Sequence, residues 1–264
     1  FFSTTQAKSL DKFNKAEYIS DYFSGVILLN NNQYKESYKY LKNLDGLERS
    51  HENYSAKYLY SIINTGNFID AFNYSKKLEK NKLDSFETNI IMGVYYFKNS
   101  NYKLAKKYLL KTKNQNLKFL LNLYLVDSLL IWSNLDKEKI DIANLELDNL
   151  DKRFGNLNEI QKVFLNCFFD NPQTQSLYKN LTISKANDFS RYNYFYANYL
   201  KKQNNTQEAK KVINESLRKY PRNILLNQMN IDLEKTKSRI EFDCKKPEHV
   251  ISEILYVAAN LLSS

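Results

Sequence analysis

Every 34 positions in the first half of this chain, the same five kinds of residue return in the same order. They are a small residue, a large apolar one, a turn residue, an aromatic and a second small residue. In the clearest copy these are Gly93, Tyr96, Ser100, Tyr102 and Ala105. One period earlier they are Leu59, which replaces the small residue, Ile62, Gly66, Phe68 and Ala71, and before that Gly25, Leu28, Asn32, Tyr34 and Ser37. A fixed period of this length marks stacked supersecondary units, each of which hides its apolar face on its neighbour. Within each copy the apolar residues recur at three and four positions, which is helical spacing. With only 5 Gly and 3 Pro there is little material for hairpin turns, so an all-β chain is not expected. A hydrophobic fraction of 43%, including 21 Tyr and 16 Phe, is enough for a core and argues against disorder. The expected class is all-α.

The regular segment covers residues 1–115, with three units at about 18–44, 53–78 and 86–112. Asn30-Asn31-Asn32, Gly66 and Lys98–Asn101 punctuate the helices, because Asn and Gly tolerate the left-handed backbone that ends a helix. Through 116–188 the period is lost. Helices are still expected over Asn116–Trp132, Asp136–Leu150, Glu159–Phe169 and Pro172–Leu181, the last with Pro172 in its first turn. Across 189–264 the pattern returns as Ala197, Leu200, Asn204, Ala209, Ile213 and Pro221. A helix over Asn223–Lys235, an irregular stretch and a terminal helix over His249–Leu262 follow. Because solenoids end in polar caps, this apolar ending predicts either continuation in a longer protein or a partner that covers the last helix. A start at Phe1 likewise suggests a processed or excised piece, cytoplasmic, or periplasmic if a signal peptide has been removed.

The three regular units resemble tetratricopeptide repeats, whose 34-residue helix–turn–helix carries this order of small, large, turn, aromatic and small residues. The resemblance implies an α-solenoid of antiparallel helix pairs, a superhelix of about 13–15 helices in all. It also implies a non-catalytic, bacterial-style scaffold that binds a protein or peptide, within a larger assembly, in a concave groove lined by first helices. Carried over residue by residue, that groove holds Tyr22, Phe23 and Val26 in the first unit. The second contributes Lys57, Tyr60 and Asn64, and the third Glu87, Ile90, Ile91, Val94 and Lys98. Some relatives grip a chaperone's C-terminal carboxylate with Lys, Asn and Arg at these places. Here Tyr22, Val26, Lys57, Glu87 and Ile91 stand there, so that clamp is missing. An aromatic and apolar groove suits a helix or extended peptide, unless the chain's own terminal segment fills it.

No catalytic or cofactor site is expected. His51 and His249 are the only histidines, and His51 sits in a polar stretch that reads as solvated. Asp243, Cys244 and His249 lack the second ligand pair that zinc requires. No phosphate-binding glycine loop occurs. Cys167, amid Val163–Phe169, reads as core packing, since two cysteines are too few for a disulfide framework. No apolar run is long enough to span a bilayer.

A net charge of +10 supports the alternative of a basic helical-repeat protein that binds nucleic acid. Its distribution weakens that reading. Residues 51–115 carry 11 basic and 5 acidic side chains and 191–264 carry 13 and 8, whereas 116–190 carry 8 and 10. The clusters Lys76, Lys77, Lys80, Lys82 and Lys103, Lys106, Lys107, Lys111, Lys113 fall on second helices, which face outward. The joint abundance of Asn, Lys, Tyr, Ile and Phe also matches AT-rich coding. A nucleic-acid partner is therefore not the expected one.

Overall fold

A computed structural model describes residues 13, 15–51, 53–113, 120–135, 140–183, 190–234 and 242–263. The expected lead-in before Ala16 and the stretches joining some helices lie outside them. Among the described residues there are fourteen α-helices, two short 3-10 turns and no strand, so the all-α class holds. No described helix is long and apolar enough to cross a membrane. The chain divides into two compact units, residues 1–118 and 119–264.

The first unit contains α1 (Ala16–Asn30), α2 (Tyr34–Lys42), α3 (Tyr54–Asn64), α4 (Phe68–Lys80), α5 (Phe86–Lys98) and α6 (Tyr102–Lys113). Each helix packs on the next in order, and α1 also touches α3. The helix ends explain the period. Asn32, Gly66 and Ser100 all adopt the left-handed conformation, with φ of 60°, 80° and 56°. The N–H of the following residue then reaches back to the carbonyl of Leu28, Ile62 or Tyr96, at 2.9, 3.4 and 2.8 Å. This is the six-to-one closure that satisfies a helix's last carbonyls. Its acceptors are the large residues of the repeating pattern. Asn and Ser can therefore stand where Gly is the usual choice, because the closure outweighs their modest left-handed cost.

The small residues set how closely paired helices approach. A methyl group added at Gly25 would lie 2.7 Å from Leu41 Cγ, and one at Gly93 would lie 3.0 Å from Leu109 Cγ. At the equivalent places of the middle pair stand Leu59 and Ser75, both buried. The large and small partners have exchanged helices, which accounts for the one apparent break in the small-residue pattern. Ser37, Ala71 and Ala105 are fully buried, and Ser37 Oγ donates to the Gly25 carbonyl at 2.8 Å. At the aromatic position of the middle unit, Phe68 is half exposed, with the Lys98 ammonium 6.0 Å above its ring.

Polar groups follow the same period. Lys77 pairs with Asp45, and 34 residues on, Lys111 pairs with Glu79 at 2.6 Å. Each lysine also lies over a tyrosine ring at the matching place, Tyr74 at 5.7 Å and Tyr108 at 5.3 Å. Lys77 further holds Glu48, whose side chain is 1% exposed, at 2.7 Å. Burial disfavours the Glu79 anion, but hydrogen bonds from Lys111 and Tyr108 outweigh it and hold the carboxyl below its usual range.

The second unit contains α7 (Leu120–Ser133), α8 (Ile140–Asp148), α9 (Gly155–Phe168), α10 (Thr174–Ile183), α11 (Tyr192–Lys202), α12 (Thr206–Lys219), α13 (Ile224–Glu234) and α14 (Pro247–Ser263). The 34-residue interval persists here in the backbone. Asp170 and Asn204 are left-handed, at φ 56° and 61°, and each is followed by a closing bond of 2.9 Å, to Asn166 and Leu200 respectively. From Ser100 to Asp170 is two residues more than two periods, which throws the later copies out of register. Pro172 stands in the turn, and α10 begins only at Thr174. Its buried residues Thr174, Tyr178 and Leu181 sit one place earlier than the repeating frame predicts.

Helix α14 folds back onto α7 and α9 of its own unit, burying Val250, Ile251, Ile254 and Ala258. One expectation is corrected. Cys167 is buried, as expected, but it is bonded to Cys244, 77 residues away.

The interior of this unit also holds a polar network. Gln161, fully buried, accepts from Trp132 Nε1 at 3.0 Å and donates to Tyr124 Oη at 2.8 Å and Ser128 Oγ at 3.0 Å. Burial raises the Tyr124 phenol to about 12, and its hydroxyl donates to Asn158 Oδ1 at 2.8 Å. Replacing Gln161 with Leu strands an indole N–H without an acceptor. The expected cost is about 2 kcal/mol, read as a lower urea midpoint with an unchanged slope.

Candidate partner-binding groove

The first helices α1, α3 and α5 of the first unit border a groove of about 600 Å³. Of the sequence-predicted residues, Lys57, Tyr60, Glu87, Ile90 and Ile91 line it. Ile91 is buried and belongs to the hydrophobic core, against which Ile90 packs. Tyr60 stands up from α3, half exposed, with the Tyr34 ring 6.0 Å away edge-on. Hydrogen bonding with Tyr60 raises the Tyr34 phenol above its usual value, and the Tyr34 hydroxyl also donates to Asn32 Oδ1 at 2.7 Å. Lys57 and Glu87 are the charged groups among the lining residues.

Tyr22, Val26, Asn64, Val94 and Lys98 are not among the lining residues. Tyr22 lies against His51, with ring centroids 4.7 Å apart, and burial raises its phenol. His51 is thus half-buried rather than solvated. The Asn64 amide is spent on its own helix, donating to the Tyr60 carbonyl at 2.8 Å. Val26 and Val94 are half-buried on α1 and α5, and Lys98 covers Phe68.

The groove also uses residues absent from the sequence-derived set: Leu29, Asn30, Asn32, Ala56, Leu59 and Ile63. Two of them were within reach of the period. Asn30 precedes its left-handed residue by two, as Asn64 and Lys98 do. Ala56 precedes Gly66 by ten, as Ile90 precedes Ser100. Beside the groove, α1 exposes Ile19, Phe23 and Ile27 four residues apart, a continuous apolar stripe of the kind that marks an interaction surface.

The second unit shows what the same helix face can hold. On α11 and the residue just before it, counted back from left-handed Asn204, the groove positions are Arg191, Phe195, Asn198 and Lys202. Asn198 and Lys202 both donate to the Phe242 carbonyl, the latter at 2.9 Å. The Phe242 ring packs on Phe195 and Phe164 at 4.7 and 4.8 Å. Arg191 grips Glu253 of α14 through two bonds of 2.7 Å and lies 4.3 Å above the Tyr256 ring.

The three residues weighed for metal have other uses. Cys244 is in the disulfide, His249 Nδ1 accepts the Asp243 N–H at 3.0 Å, and Asp243 accepts from the Lys245 N–H at 3.0 Å. Comparison with protein-family models, with curated proteins and with solved structures finds no match to this chain.

Proposed function

We propose that this protein is a non-catalytic scaffold of the tetratricopeptide type, whose helix pairs stack antiparallel as a solenoid. The groove across α1, α3 and α5 binds a peptide or helix of another protein. The observation that carries this reading is the convergence of Tyr60, Ile90, Ile91 and Lys57 on one groove of about 600 Å³. The exposed stripe of Ile19, Phe23 and Ile27 beside it adds support. An apolar floor with few charges at its edge suits a side-chain-led docking mode.

The test places a photo-cross-linking residue at exposed Ala56 in cells, with and without Tyr60→Asp. A buried interface tyrosine is commonly worth at least about 2 kcal/mol. The cross-linked protein adduct is therefore expected to fall roughly thirty-fold in the variant while helicity is unchanged. An adduct that survives Tyr60→Asp undiminished overturns the assignment.

The alternative, a nucleic-acid partner, has the charge of +10 in its favour. It is weakened because Lys77 and Lys111 are committed to ion pairs, and Lys76 and Lys107 lie over rings of Phe72 and Tyr108. Such binding would weaken steeply with added salt.

A further inference from the structure

The two units present the same helix positions to different surroundings. Counted back from the left-handed residue that ends each first helix, the second unit uses places thirteen, nine, six and two. These are Arg191, Phe195, Asn198 and Lys202, and all four touch the chain's own segment 242–253. In α5 the same places are Glu87, Ile91, Val94 and Lys98. In α3 the last three are Lys57, Tyr60 and Asn64.

The occupant of the second unit is therefore a template. It enters with an aromatic residue, Phe242, whose ring rests on Phe195 and Phe164 and whose carbonyl takes the donors at places six and two. It continues as an amphipathic helix running opposite to α11. Eleven residues after the aromatic it places Glu253 against the charge at place thirteen. The Tyr192 hydroxyl adds a third contact to Glu253 at 3.3 Å.

Resting on the groove reading above, we propose that the partner of the first unit is an amphipathic helix of this kind with its charge reversed. An aromatic residue would seat on Ile91 and Tyr60, which stand where Phe195 and Phe164 do, and its carbonyl would draw the Lys98 ammonium from its place over the Phe68 ring. A lysine or arginine eleven residues later would face Glu87. Place thirteen carries opposite charges in the two units, Arg191 in one and Glu87 in the other, and each selects the complementary side chain. Like charges brought together at that place are repelled, whereas a matched pair is drawn in. Glu87 is exposed and available, held at the start of α5 by a bond from Ser85 Oγ at 2.6 Å.

The test uses the full oxidised chain, in which the disulfide keeps the second unit's own segment seated. The probes are two labelled peptides covering residues 242–258, both with Cys244→Ser. One keeps Glu253 and the other carries Glu253→Lys. Fluorescence anisotropy is expected to show the lysine peptide binding about ten-fold tighter, and Glu87→Lys in the protein should invert that order. Equal affinities, a preference for the glutamate peptide, failure to invert, binding that survives Tyr60→Asp, or no binding of either peptide would each overturn the charge rule. The groove reading is judged separately by the cellular cross-link. Equal binding of both peptides that is lost in Tyr60→Asp would leave that reading standing without the selectivity.

Discussion

Replacing Cys244 with Ser, or reducing the oxidised protein with a dithiol, is expected to lower the stability of the second unit by about 4 kcal/mol. The estimate comes from the 77 residues between Cys167 and Cys244. Closing so long a loop removes much of the disorder available to the unfolded chain, and the stabilisation grows slowly with length. The effect falls on α14 first. Without the bond, the segment keeps Lys245 on the Phe168 carbonyl at 2.7 Å, the two donors on Phe242 and the Arg191–Glu253 pair. These polar ties are each worth far less than the covalent link. Urea unfolding with and without reductant measures the difference. If the first unit unfolds separately, its transition should not move. A midpoint indifferent to reduction would show that the bond adds nothing to the packing of α14 on α7 and α9.

Gly25→Leu is expected to cost about 2 kcal/mol, and the double change Gly25→Leu with Leu41→Ser should recover most of that. The single change forces a branched side chain into space where even a methyl group would sit 2.7 Å from Leu41 Cγ. Leu41 is fully buried and has no room to retreat. Overfilling a packed interior typically costs about 1–3 kcal/mol, partly offset by the roughly 1 kcal/mol that a helix gains on losing glycine. The rescue follows from the middle pair of the unit, where Leu59 and Ser75 occupy the same places. Non-additivity of this size is what contacting residues show. A double variant as unstable as the single one would mean that the exchange does not transfer between pairs, and that the three pairs differ more than their period suggests.

The sequence reveals the period because its signals are local. A turn residue must take up a left-handed conformation, and a small residue must face a large one sixteen positions later, or the reverse. Asn32, Gly66, Ser100 and Asn204 can all be located this way. Asp170 escapes because a two-residue offset and the proline after it disguise a turn that the backbone still makes. The groove is half legible. The period identifies the right faces of α3 and α5 but cannot reveal that Asn64 bonds to its own helix or that Tyr22 leans on His51. The ion-pair ladder of Asp45 with Lys77 and Glu79 with Lys111 was within reach of the same alignment. Apolar patterning overlooks it because charged residues say nothing about burial on their own. The disulfide and the return of α14 are of another kind. Both join residues far apart in the chain, and no short-range pattern encodes them.

The return of α14 has a consequence for how the protein is made. A chain emerging from the ribosome can complete the first unit early, since each of its helices packs on the one just synthesised. In the second unit, α7 and α9 must wait for α14, which is synthesised well after both. At about 5–20 residues per second, α7 lacks its α14 contacts for roughly ten seconds, with Cys167 unpaired for much of that time. A nascent chain at this stage would be a natural client for a chaperone and for an oxidising enzyme, and a stop codon placed before residue 242 should yield a product that aggregates.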